Sequence, residues 1–190
     1  MRLFLLMVSV VVALVLQGCA GTSSVIPQSG PQSLQLFNAD SSPRFTFYLA
    51  CTSEDDSCST AENTFSDWAG DRGVALRLTE PDDAVFTSAI PSSGKNTDLP
   101  YRVAVHFAPL VVPSFSQMMG NGSTAVGGYT PPKVGYTATI YIFDSATGKL
   151  LQKLPAQEQR TTNPKDKANG YIRSEVNGFI ASLDPAYKRK

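Results

Sequence analysis

Residues 44–79 place one helix-patterned segment between two strand-patterned ones, and that order restricts the topology more than any other feature of the chain. From Arg44 to Ala50, Phe45, Phe47 and Leu49 alternate with other positions, the period of a strand with one buried face. Ala61, Phe65, Trp68 and Ala69 then fall on one helical stripe. Ser59 and Glu62 have capping-box spacing at its start, and Gly70 is the predicted stop. From Val74 to Glu80, Val74, Leu76 and Leu78 alternate again. Two strands joined by a helical crossover run parallel in one sheet. The single tryptophan, Trp68, reads as core rather than as a sugar-stacking platform.

Further strands follow. Pro81 to Phe86 predicts a short helical turn, and the polar stretch PSSGKNTDLP a loop. Its Gly94-Lys95 lacks the upstream glycine and following hydroxyl of a phosphate-binding loop. In Tyr101 to Val112, Tyr101, Val103, Val105 and Phe107 face one way and Arg102, Ala104 and His106 the other, with Pro109 marking a bulge or an edge. Val134 to Asp144 is a strand with Val134, Tyr136, Ala138, Ile140 and Ile142 on one face, and Ser145 to Gly148 turns it into Lys149–Leu154. A helix starting near Pro164 carries Ala168, Ile172, Val176, Phe179 and Leu183 on one stripe that must be buried. The expected fold class is α+β: a two-layer mixed β-sheet of about five strands with two helices packed on one face, in a single globular domain over 44–187.

The amino terminus carries an address. Met1-Arg2 is a positive start, and Leu3 to Leu16 is apolar except for Ser9. That run is shorter than the ~20 residues a membrane-spanning helix needs, and it fits a secretory signal. Leu16-Gln17-Gly18-Cys19 resembles the lipobox of bacterial lipoproteins. The resemblance implies a signal peptide over 1–18, diacylglyceryl transfer to the Cys19 sulfur, cleavage before Cys19 and acylation of the new amine. Ala20, rather than Asp, implies delivery to the outer membrane of a Gram-negative envelope; the leading expectation has the chain facing the periplasm. Several acyl chains on one residue hold a protein stably, where a single chain is marginal. Residues 19–43, rich in Ser, Gly, Pro and Gln, are the expected tether.

The chain has 16 basic and 16 acidic side chains, which argues against a nucleic-acid partner. Eleven acids against four bases lie in 40–98, and nine bases against four acids from 149 onward, so one half can balance the other. With Cys19 acylated, Cys51 and Cys58 remain, and an oxidising compartment predicts their disulfide. The chain-entropy account gives so short a loop roughly 2.5 kcal/mol. Glu54-Asp55-Asp56 lacks the alternating spacing and the glycine of a calcium loop. Two cysteines and one histidine do not complete a zinc site. No metal and no cofactor is expected.

His106, the only histidine, has no G-x-S-x-G elbow or metal motif beside it, so a non-enzymatic role is expected over a hydrolase built around it. Tyr136, Thr137, Thr139 and Tyr141 need no cause beyond strand propensity. Residues 113–133 are more informative. They separate two strands by far more than the usual ~2–5 residues, and four glycines and three prolines are expected to keep them from extending either strand. Phe115, Met118, Met119, Val126 and Tyr129 within them are apolar. They form a surface that repacks against a partner, or local core folded over the sheet, or belong to a variable insertion. The leading expectation is a membrane-anchored accessory or assembly partner of an envelope complex. The alternative is a periplasmic binding module for a small apolar or glycan ligand, which calls for a large enclosed cavity lined by Phe and Tyr.

Overall fold

The computed structural model describes residues 34–53, 56–88, 99–119, 126–163 and 168–188. The signal peptide, Cys19, Glu54, Asp55, Gly94-Lys95 and Pro164 lie outside them. Strand β1 (Phe45–Cys51), helix α1 (Ser57–Arg72) and strand β2 (Ala75–Leu78) form the expected crossover, with β2 parallel to β1. A 3₁₀ turn (Ala84–Phe86) leads on to β3 (Tyr101–Val112), also parallel to β1. After β4 (Phe115–Met119) and β5 (Val126–Thr130) come β6 (Lys133–Asp144), β7 (Leu150–Thr161) and helix α2 (Ala168–Leu183). The main sheet has the order β2-β1-β3-β6-β7, with β6 antiparallel to both of its neighbours. It is a five-stranded mixed sheet with two helices, an α+β arrangement.

One face of the sheet and both helices share the core. Phe47, Val103, Val105 and Ile140 from the strands meet Phe65 and Trp68 of α1 and Val176 and Phe179 of α2. Trp68 is core: its indole Nε1 donates to Asp184 Oδ2 at 3.2 Å, and Arg72 donates to the same carboxylate at 2.7 and 3.2 Å. Asp184 is buried, so the two partners compensate its charge and tie the ends of the two helices together. The Cys51–Cys58 disulfide joins the end of β1 to the first turn of α1 across a Cα–Cα distance of 5.6 Å.

Several local expectations are corrected. Helix α1 passes through Gly70, where an added Cβ would meet open space, and stops at Gly73, whose φ of 65° is the left-handed conformation that favours glycine. Ser59 lies inside the helix instead of capping it, and its hydroxyl donates to the Asp56 carbonyl. Pro109 makes no bulge; the register of β3 with β6 runs unbroken through it. Tyr101 N–H donates to Arg44 O on the β1 side, so odd-numbered N–H groups of β3 point toward β1. Cys51 of β1 pairs with Phe107, so the missing donor of Pro109 faces the open edge beyond β1. Strand β7 runs past Leu154 to Thr161, because its one strand neighbour is β6 and an edge accommodates Pro155.

The last part of the expected tether is docked. Leu34, Leu36 and Phe37 pack against the core, with the Phe37 ring edge-on to Phe45 and under the Arg72 guanidinium. Arg44 N–H donates to Leu36 O, and Phe37 pairs with Pro43, closing a small hook over 34–44. Three apolar side chains in ten residues give this stretch more to gain from burial than its Ser and Pro content suggests.

Candidate functional site

Strands β3 and β6 are paired along twelve residues, ending at Val112 opposite Lys133. The pairing resumes with Phe115 opposite Thr130 and ends with Met119 opposite Val126. The register is the same on both sides of the gap, so β4 and β5 prolong the β3–β6 hairpin as a two-stranded arm. That is a correction: the glycines and prolines of 113–133 do not keep the strands from continuing. The shared register sets Pro113 across from Pro132 as a non-hydrogen-bonded pair: odd-numbered positions of β3 face β1, and Pro132 O accepts from Thr162 N–H on the β7 side, so both missing donors point outward and the register continues without a slip. Gly127 and Gly128 sit inside β5 opposite Met118 and Gln117. Five paired residues add about 17 Å of strand beyond the main sheet.

The five candidate partner-binding residues all lie on this arm, distributed over both of its faces. By alternation, Phe115, Met119 and Val126 occupy positions on one face, and Met118 and Tyr129 on the other. The residues between them at the tip, 120–125, lie outside the described residues. A plain sequence signal marks the arm: from Val103 to Pro132 there is no Asp, Glu, Lys or Arg. At the chain's overall charged fraction of 17%, thirty residues would hold about five.

A cleft of about 220 Å³ lies at the base of the arm, lined by Val111, Val112, Pro113, Pro132, Val134 and Tyr171. It is smaller than the ~300–1,000 Å³ usual for small-molecule sites. Inside the domain the aromatic rings fill the space between the layers instead of lining a cavity. Phe107 stacks on Tyr136 with centroids 5.3 Å apart, and Phe179 meets Phe65, Phe107 and Tyr136 edge-on at 5.4–5.8 Å.

Gly135, two residues into β6, marks how closely the strands approach there. A Cβ at this position would collide with the Glu158 carbonyl oxygen and lie 2.8 Å from the Gln159 Cα, both backbone of β7. Gly135→Ala is therefore expected to displace β7 and cost about 1–3 kcal/mol or more, read as a lowered thermal midpoint. An unchanged midpoint would contradict this strand geometry.

Beside Gly135, Arg160 of β7 pairs with Glu175 of α2, holding the edge strand to the helix. Burial pushes the Glu175 carboxyl above the usual carboxylate range, with Arg160 acting in the opposite sense. The Tyr136 phenol is pushed up to about 12, chiefly by burial and then by Glu158 and Glu175. A carboxyl that binds its proton more tightly when folded weakens the fold as pH rises through and above its unfolded value. Glu175→Gln removes this component. Its stability relative to the parent should therefore become more favourable as pH rises above the ordinary glutamate value of about 4.3 in denaturant titrations. A difference that does not change with pH would contradict it.

His106 is packed as a structural group. Its Nε2 is 3.0 Å from the Pro81 carbonyl oxygen, and its ring lies against Phe86 and Tyr141. Sequence reasoning missed how much of this second sheet face is covered. Asp83 accepts from Val85 N–H and from the Thr79 hydroxyl, shaping a turn that brings the Thr87 carbonyl to the buried Arg102 guanidinium. Hydrogen bonds from Thr79 and Val85 hold the Asp83 carboxyl below its ordinary value. Among the described residues no cluster of His, Cys, Asp and Glu is arranged to hold a metal, and no helix is long and apolar enough to cross a membrane.

No protein-family model and no curated protein matches the chain. Among solved structures it is similar to the PelC dodecamer from Paraburkholderia phytofirmans, at 18% identity and a TM-score of 0.39, over 76% of this chain and 89% of that one. It is similar to a minor lipoprotein from Acinetobacter baumannii at 14% identity and a TM-score of 0.34, over 74% and 91%. A lipoprotein from Neisseria meningitidis matches at 11% identity and a TM-score of 0.34, over 74% and 99%. Likeness at this level assigns neither a family nor a function to the chain.

Proposed function

We propose that this chain is a lipid-anchored lipoprotein of the bacterial outer membrane, facing the periplasm, and that it serves without catalysis as an accessory or assembly partner of an envelope complex. The observation that carries the reading is the arm: a neutral, apolar-studded hairpin that continues the sheet in register past its other strands. Acyl chains on Cys19, implied by the lipobox-like Leu16-Gln17-Gly18-Cys19, supply the membrane attachment.

The topology supports a division of labour between the two ends of the domain. The chain enters the sheet at Phe45, opposite Tyr101 at the start of β3, and the arm leaves from Val112 at the other end of that strand. Twelve residues of strand separate the two points by roughly 40 Å. An anchor attached ahead of Phe45 thus joins the sheet at the opposite end of β3 from the arm. The aromatic rings packed between the sheet and the helices among the described residues favour this reading over a binding module for a small apolar or glycan ligand.

The test is whole-cell chemical crosslinking of the full-length chain and of a variant in which residues 115–129 are replaced by a short Gly-Ser turn. Crosslinked adducts are expected to disappear from the variant while it stays in the membrane fraction. Identical adducts with and without the arm would overturn the assignment of the interface.

A further inference from the structure

We infer that the occupant of the arm is a second copy of this chain: arms of neighbouring molecules pair edge to edge, β4 of one against β5 of the next. The inference deepens the reading above and rests on it. A two-stranded ribbon by itself is marginal in water, and three or more strands are needed for independent stability. Strands β4 and β5 have only each other as strand neighbours among the described residues, so each presents an open edge. Lipid does not complete such a ribbon, because open sheet edges do not occur within the hydrocarbon layer. Another strand does.

Identical strands make a good match here for a specific reason. Proteins keep edge strands from pairing with copies of themselves by placing charges, above all lysine, and proline along them. Strand β7, the other long edge of the molecule, carries Lys153, Pro155, Glu158 and Arg160. Neither β4 nor β5 contains a charge or a proline; the prolines stand outside, at 113, 131 and 132. With no Asp, Glu, Lys or Arg from Val103 to Pro132, two arms also meet without like charges opposed across the pair.

Anchoring fixes which edges meet. Copies held by the same kind of tether in one leaflet point the same way, so β4 ascends and β5 descends in every arm. Antiparallel pairing between neighbours then joins β4 to β5, a head-to-tail contact that repeats. A repeat that closes on itself leaves no free edge.

The experiment is the oligomeric state of the lipidated full-length protein in detergent micelles, by light scattering and native mass spectrometry. The parent is expected as an oligomer of three or more copies. Gln117→Lys, which puts a guarding charge on β4, is expected to weaken self-association at least tenfold at low salt. Near 1 M salt, where the screening length is about 3 Å, association should recover. Circular dichroism of Gln117→Lys matching the parent shows that the domain is folded. A monomeric parent at 100 µM overturns the inference, as does an oligomer that survives both Gln117→Lys and replacement of 115–129. If the parent is monomeric while arm-dependent adducts with other envelope proteins persist in cells, self-pairing fails and the accessory role stands. If no adduct depends on the arm either, both fail.

Discussion

Phe179→Ala is expected to lower the stability of the domain by about 3–5 kcal/mol, the range for truncating a fully buried phenylalanine. Phe179 is completely buried, and its ring joins three elements edge-on: Phe65 of α1, Phe107 of β3 and Tyr136 of β6. Removing it opens a cavity between the helix layer and the sheet, and the surrounding aromatic rings are too stiff to collapse into it. At roughly 2–4 °C per kcal/mol for a chain of this size, the thermal midpoint should fall by about 10 °C. Leu78→Ala is the control. Leu78 is 54% exposed on the short edge strand β2, and truncation there is expected to stay within about 0.5 kcal/mol. Equal effects at the two positions would contradict the assignment of the core face.

Cys19→Ala is expected to move the protein from the membrane to the soluble fraction, changing the membrane-to-soluble ratio roughly tenfold or more, as loss of multiple acyl chains requires. None of the described helices is long and apolar enough to span a membrane. The substitution lies outside the domain, so the thermal midpoint of the domain should not change. Fractionation and labelling with palmitate read the effect. A Cys19→Ala chain that stays membrane-bound and still takes up label would contradict the anchoring.

The parts of the fold that were legible in the sequence are those where one face of an element is buried and the other is not. Phe45, Phe47 and Leu49, the alternation in β3 and β6, and the α2 stripe through Ile172, Val176 and Phe179 each announce a period, and the period matches the element found. Glycine was harder to read. Gly70 and Gly73 are equivalent as letters, and only the backbone shows that the second adopts the left-handed turn. Gly135 reads as one more residue in a strand, and its close approach to Glu158 and Gln159 exists only once β7 is in place. The cover over the second sheet face depends on a turn around Asp83 whose meaning comes from the distant Arg102.

The arm was half legible. Its apolar residues and its length stood out, but its prolines and glycines argued for a loop, because the letters do not show which way a missing donor points. Pro113 and Pro132 face each other in the shared register with their missing donors pointing outward, away from the partner strand, so the hairpin continues beyond them. The absence of charge from Val103 to Pro132 was present in the sequence throughout, and it gains meaning from the open edges it leaves unguarded.

The arm as the working surface of an anchored protein is tested most directly by photo-crosslinking in living cells. A photoreactive phenylalanine analogue is placed at Phe115 on β4 in one strain and at Ser66, exposed on the outer side of α1, in another. Adducts are expected from position 115 and not from position 66. Adducts from position 66 alone, or equal adducts from both, would contradict the account.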